Sequence, residues 1–234
     1  MNKPQPRGPL ARLFARLIDQ DPEIGQGHVF DVGANRGQTY ARLRAVLPEA
    51  TLHCFEPAPE TFPRLASTME GDDWAVTNQM GLGSKAGRVR FTSGRNSNNQ
   101  RIPEVGGKVA DEVEVEILTG DDYCRQHGIE RIDFLKVDVE GYDLDVLLGF
   151  GTMLRNGAVG HLQVECTTNL DNRFHVHLER FIHFLHPFNY RLSDLAEPVR
   201  RVNKTKQQMN GIWYCNAVFA REVPAPRLRR DGIN

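Results

Sequence analysis

The run His28-Val29-Phe30-Asp31-Val32-Gly33-Ala34-Asn35-Arg36-Gly37-Gln38-Thr39 decides the reading of this chain. A short apolar strand enters a glycine-punctuated turn, and Thr39 then opens an amphipathic stretch, Tyr40 to Leu47. Strand, turn and helix in that order begin a nucleotide-binding α/β unit. Gly33 and Gly37 leave room for backbone to approach a ligand where a Cβ would collide. The free N–H groups at the helix start can receive anionic or polar groups. The Gly33-x-x-x-Gly37 spacing differs from G-x-G-x-x-G, so a dinucleotide pyrophosphate is not its natural occupant. The plainer alternative is a tight strand-to-helix connection without a ligand.

Working outward, Pro9 to Ile18 carries Leu10, Leu13, Phe14 and Leu17 on one helical stripe, a helix to cover the sheet or the site mouth. Arg7, Arg12 and Arg16 would be the basis of any membrane-surface contact, which is the lesser reading. Downstream, Thr51 to Phe55 reads as a strand, Pro59 to Met69 as a helix and Trp74 to Thr77 as a strand. This β-α-β-α-β order calls for a parallel sheet with right-handed crossovers. The alternation then breaks: Arg88 to Phe91 and Val113 to Ile117 look like strands on either side of a polar stretch, Thr92 to Lys108, read as an insertion over the site. It resumes with strands at 132–137 and 159–165, a short helix from Tyr142 to Leu148, a helix from Phe174 to Leu185, and a closing strand from Trp213 to Ala220. The domain reading is a leader and amphipathic helix at 1–27, one domain at 28–223 with a β-rich insertion near 84–118, and a basic tail at 224–234.

The chain has 234 residues, enough for one full-sized domain, with 40% apolar and 25% charged residues. A formal charge of −1 gives no global attraction to nucleic acid. No apolar run approaches the roughly 18 to 20 residues that cross a bilayer. Cys54, Cys124, Cys166 and Cys215 are widely spaced with no C-x-x-C, which argues against zinc and suits a reducing, cytoplasmic compartment.

Four acids arrive at the carboxyl ends of strands, where open α/β sheets bind ligands: Asp31, Glu56, Asp138 and Glu165. Glu56 stands 23 positions after Gly33 and would accept from both ribose hydroxyls; the alternative is a helix-start acid favoured by the dipole. Asp31 would receive an ammonium or orient turn amides. Of His175, His177, His183 and His186, His175 is the reserve candidate for a general base, beside the alternative of structural or solvated histidines. Arg200, Arg201, Lys204 and Lys206 form either a solvated loop or a contact for an acidic substrate.

Asp31 to Thr39, Phe55-Glu56-Pro57, Asn78 to Gly83 and Asp133 to Gly141 together resemble the motifs of the FkbM-type methyltransferases, in order, within a similarity covering residues 28 to 220. The resemblance implies a Rossmann-like class I methyltransferase sheet of about seven strands, mostly parallel with an antiparallel last strand, and helices on both faces. It implies S-adenosylmethionine as cofactor, held by Asp31, Gly33, Ala34, Asn35, Gly37, Gln38, Thr39, Glu56, Met80, Gly81 and Asp138. Met80 stands where the family often has alanine, and Ser97-Asn98-Asn99 where relatives often have paired serines. The implied reaction is O-methylation of a hydroxyl on a saccharide or secondary metabolite. Asp138, Glu165 and His175 are the candidates for handling the acceptor's proton. Alternatively Asp138 and Glu165 jointly hold a hard cation such as Mg²⁺. An NAD-dependent oxidoreductase and a non-catalytic nucleotide-fold module are the competing readings.

Overall fold

A computed structural model of the chain describes residues 8–20, 22–92, 112–200 and 211–222. Its strands are β1 (His28–Val32), β2 (Thr51–Phe55), β3 (Ala75–Asn78), β4 (Gly81–Leu82), β5 (Gly87–Thr92), β6 (Glu112–Leu118), β7 (Ile132–Val137), β8 (Val159–Cys166), β9 (Tyr190–Val199) and β10 (Tyr214–Arg221). Its helices are α1 (Pro9–Gln20), α2 (Gln38–Arg44), α3 (Phe62–Thr68), α4 (Gly120–His127), α5 (Asp143–Leu148), α6 (Gly151–Asn156) and α7 (Leu178–Leu185).

The near-continuous apolar runs of β1, β2, β7 and β8 suit strands covered on both faces. Among the described residues they form a seven-stranded sheet in the order β3-β2-β1-β7-β8-β10-β9. The pairs β1–β2, β1–β7, β2–β3 and β7–β8 are parallel, while β10 runs antiparallel to both β8 and β9. The expected mostly parallel sheet with an antiparallel last strand is therefore present. Successive side chains point to opposite faces. Val29, Leu52 and Phe134 join the stripe of α1 with α2 and α3, and Phe30, Val32, Leu135 and Val137 join α4 to α7 on the other side. Leu10, Leu13, Phe14 and Leu17 are all buried, and the Phe14 ring lies 4.6 Å from Phe134. Helix α1 thus covers the sheet rather than the site mouth.

A smaller three-stranded sheet, β4-β6-β5, stands where the alternation breaks. The polar stretch between β5 and β6 in the sequence, including Ser97-Asn98-Asn99, lies outside the described residues, as do Met1 to Arg7, Arg201 to Asn210 and the tail from 223. Gly81 and Leu82 of β4, Phe91 of β5 and Ile117 of β6 border a cavity at the main sheet's carboxyl edge.

Two departures from the sequence reading have physical causes. The sequence reading assigns no element to 190–199; pairing with β10 makes this Pro- and Asp-containing stretch of low strand propensity a strand. The last helix begins at Leu178 and not at Phe174, because the amides of Phe174 and His175 are bonded to the Asn172 side chain.

One buried polar chain crosses this frame. His28 Nδ1 lies 3.0 Å from His53 Nε2, His53 Nδ1 lies 2.9 Å from the Tyr123 hydroxyl, and that hydroxyl donates to Asn78 Oδ1 at 3.1 Å. Burial drives the His53 pKa down to about 3, helped by His28 and His127. The four cysteines are buried and unbridged; Cys166 and Cys215 face each other across β8 and β10 with sulfurs 3.8 Å apart.

Candidate active site

A cavity of about 660 Å³ opens at the carboxyl ends of β1, β2, β7 and β8, the edge where open α/β sheets take ligands. Gly33, Ala34, Asn35, Gln38, Thr39, Glu56, Gly81, Asp138, Glu165 and His175 all line it. Asp31, Gly37 and Met80 do not line it.

The turn after β1 differs from the expected cradle. Gly33 has φ 84°, and a Cβ there would sit 1.9 Å from the Asp138 carbonyl oxygen. The space freed by this glycine holds the chain after β7, not a ligand. At Gly37, φ 89°, a Cβ would meet Thr68 of α3 at 3.0 Å, so this residue lets α2 and α3 approach. The amides are also committed internally. Gly33 and Ala34 donate to Phe55 O, Asn35 to Glu56 Oε2, Arg36 to Gln38 Oε1, and Gly37 to Ala34 O. The turn therefore offers no row of free N–H groups; Gln38 and Thr39, just beyond it, remain at the cavity wall. The Asn35 Oδ1 atom is buried without a hydrogen-bond partner among the described residues.

Glu56 ties this turn to β2. Its Oε1 accepts from the Ala58 amide at 2.8 Å and its Oε2 from the Asn35 amide at 3.0 Å. A carboxylate has about four lone-pair sites, so each oxygen retains one for a ligand donor. Burial lifts the Glu56 pKa to about 7, against the pull of the Ala58 and Asn35 amides.

Asp31 is 1% exposed and pairs with a residue given no role above: Lys136, its register partner on β7. Lys136 Nζ lies 3.2 Å from Asp31 Oδ1 and 3.1 Å from Asp138 Oδ2. Burial opposes the ammonium, but Asp138 and Asp31 outweigh it and raise its pKa. Burial raises Asp31 too, while Lys136 draws it back. A charged lysine between two carboxylates is the state this geometry supports. Asp31 thus reaches the cavity only through Lys136, and no ammonium of a ligand is needed to neutralise it. The signal in the sequence was a lysine inside the apolar strand Ile132–Val137.

On the other side of β7, Glu165 Oε2 lies 2.9 Å from His175 Nε2, and the His175 ring stacks on Tyr214 with centroids 4.5 Å apart. Burial disfavours the charged imidazole, but the Glu165 hydrogen bond and charge, with Glu140 and Asp143, outweigh it and raise its pKa. Asp143, 1% exposed at the start of α5, is lifted to about 8 by burial and by the charges of Asp138 and Glu165. His183 and His186 are exposed at the end of α7 and His177 precedes its first turn, so none of them joins the cavity. The wall is completed by Phe91, Tyr142, Phe174 and Tyr214, with Phe174 58% exposed.

No group of three or more metal-capable side chains occurs among the described residues. Asp138 and Glu165 each spend one oxygen on a nitrogen partner, Lys136 and His175.

A methyltransferase FkbM domain model matches residues 31–192. The chain belongs to the FkbM methyltransferase family. Among relatives, it is 26% identical over 164 residues to 2-O-methyltransferase NoeI of Sinorhizobium fredii, covering 64% of this chain and 66% of NoeI. It is 29% identical over 162 residues to hexuronic acid methyltransferase AglP of Haloferax volcanii, covering 68% of this chain and 62% of AglP. It is 33% identical over 154 residues to methyltransferase sdnD of Sordaria araneosa, covering 52% and 59%. This FkbM family member thus spans just under two thirds of these relatives' own lengths. Its fold is similar to that of a precorrin-6y C5,15-methyltransferase from Geobacter metallireducens, with a TM-score of 0.50 at 10% identity over 91% of this chain and 89% of that one.

Proposed function

We propose that this FkbM family member is an S-adenosylmethionine-dependent O-methyltransferase acting on a hydroxyl of a saccharide or small secondary metabolite. One observation carries the reading: Glu56 after β2 and the Glu165–His175 pair at β8 line a single cavity, with β1 and β7 between them. Three inter-strand steps of about 4.8 Å separate β2 from β8, roughly 14 Å. That distance seats a nucleoside at one end and chemistry at the other. The names of NoeI and AglP, a 2-O-methyltransferase and a hexuronic acid methyltransferase, support oxygen as the target and a sugar as the acceptor.

The cavity fits the cofactor. Glu56 has lone pairs for two ribose hydroxyls, the unpartnered Asn35 Oδ1 awaits a donor, and Gly33, Ala34, Gln38, Thr39 and Gly81 shape the wall. Asp138, Glu140 and Glu165 give the wall a negative character that suits a cationic ligand. Bound S-adenosylmethionine supplies an electrophilic methyl group on a positively charged sulfur. The chain's own task is to orient the acceptor hydroxyl and take its proton. Phe174, Tyr142 and Tyr214 offer apolar faces on which a sugar ring can lie. The buried, unbridged cysteines support a cytoplasmic setting, and no helix among the described residues is long and apolar enough to cross a membrane.

Calorimetric titration with S-adenosylmethionine and, separately, NAD tests the reading, followed by methyl transfer to a panel of sugars and glycosylated metabolites with and without a chelator. Binding of S-adenosylmethionine alone is expected. Binding of NAD in its place would assign a different chemistry, and binding of neither would leave a scaffold.

A further inference from the structure

Asn172 lies outside the cavity wall, yet its contacts decide which nitrogen of His175 carries a proton. Its side chain sits in a residue only 1% exposed. Oδ1 accepts from the amides of Phe174 at 3.0 Å and His175 at 3.2 Å, and Nδ2 donates to the Trp213 carbonyl at 2.8 Å. These three backbone partners orient the amide, since exchanging O and N would set donors against donors and a carbonyl against a carbonyl. The second Nδ2 hydrogen then serves His175 Nδ1, 2.9 Å away. Oδ1 is also 3.1 Å from that nitrogen, but it already accepts two backbone hydrogens. A neutral imidazole has one N–H. With Nδ1 accepting, the hydrogen sits on Nε2, which lies 2.9 Å from Glu165 Oε2. The stack on Tyr214, with the two planes 15° apart, holds the ring in this orientation.

We propose that Asn172 is a positioning residue that holds neutral His175 as its Nε2–H tautomer, a donor to Glu165, so that Glu165 and not His175 takes the acceptor's proton. The proposal rests on the methyl-transfer reading above and narrows its choice of base. The acceptor O–H bond breaks, its electron pair stays on oxygen, and the proton passes to the Glu165 carboxylate. Glu165 has the means: one oxygen is engaged by His175, and the other has no hydrogen-bond partner among the described residues and belongs to a cavity-lining side chain. His175 lacks them in this tautomer, because its lone pair is already turned to Asn172. The groups facing His175 are Glu165 on β8, Glu140 in the segment after β7, Asp143 on α5 and Tyr214 on β10, besides Asn172 itself.

Nitrogen NMR of the full chain labelled at histidine, with His175→Gln to assign the signal, reads the tautomer directly. Above its titration the wild type should show a protonated Nε2 and a bare Nδ1; the opposite pattern overturns the proposal without any variant. Asn172→Ala should release the tautomer to a mixture and move the His175 titration at least threefold in proton affinity. An unchanged tautomer and titration in a folded Asn172→Ala protein would also overturn it. In turnover, Glu165→Gln should retain cofactor binding and lose on the order of 10²–10⁴-fold in kcat, the usual contribution of a general base, with a smaller loss in His175→Gln. Cofactor binding with wild-type turnover in Glu165→Gln sinks the base assignment and leaves methyl transfer standing. Absence of S-adenosylmethionine binding sinks both, while the tautomer is still decided by NMR.

Discussion

On the proposed reading, the Glu56 carboxylate serves fold and ligand together. Its two amide partners lock the turn after β1 onto β2, and burial lifts its pKa to about 7. A ribose diol needs the ionised form as acceptor, so cofactor affinity should rise with pH through about 7, with proton release on binding that calorimetry in buffers of different ionisation enthalpy detects. Glu56→Ala should weaken binding by roughly 1.5–3 kcal/mol, the range for charge-assisted hydrogen bonds; an unchanged affinity removes Glu56 from the cofactor site. Lys136 gives a second residue-scale expectation. Lys136→Met leaves Asp31, 1% exposed, without its cation, and denaturant unfolding should show a loss of about 3–5 kcal/mol, the cost of breaking a buried pair on one side. The place of Glu56 at the cavity edge was legible because spacing from a glycine turn predicts it. Lys136 and Asn172 were not, because their meaning lies in partners 105 and 41 positions away, Asp31 and Trp213, and no local pattern announces a register.

At the scale of elements, the strand–turn–helix opening was readable from apolar runs and glycines, but the reason for the glycines was not. The turn reads in sequence as a space for a ligand; in three dimensions the Asp138 carbonyl fills it. Gly33→Ala should accordingly destabilise the protein even without cofactor, since its Cβ would collide at 1.9 Å and its φ of 84° disfavours any side chain. A thermal midpoint equal to wild type would show that the two turns can part without cost. The four inner strands and α1 followed from periodicity. Helices α4 and α6 are short and β9 is irregular, so their formation depends on neighbours that a linear pattern does not show.

Over the whole molecule, two sets of buried groups give stability opposite slopes with pH. His53, with a pKa of about 3, stays neutral in the fold, whereas the unfolded chain takes up a proton below about 6.5. Its contribution is present above that value and is lost as pH falls. Glu56 and Asp143, raised to about 7 and about 8, work the other way: the fold holds protons that the unfolded chain releases, so their contribution fades as pH rises through those values. His175, also raised, adds to that decline. Ligand-free stability should therefore peak on the acidic side of neutrality; unfolding curves from about pH 4 to about pH 9 check this, with His53→Phe flattening the acid limb and Glu56→Gln the alkaline one. The place of β10 has a different kind of consequence. Among the described residues it is the last strand in chain order, yet it lies between β8 and β9 and is the neighbour to which β9 pairs. Until it emerges from the ribosome, β8 is an open edge, β9 has nothing to zip against, and neither Tyr214 nor the Trp213 carbonyl is there to hold His175 and Asn172. Vectorial synthesis thus completes the β8 wall, with Glu165 and His175, only after the β1–β2 edge of the cavity has been made, and the strand that closes the sheet is the same one that orders that wall.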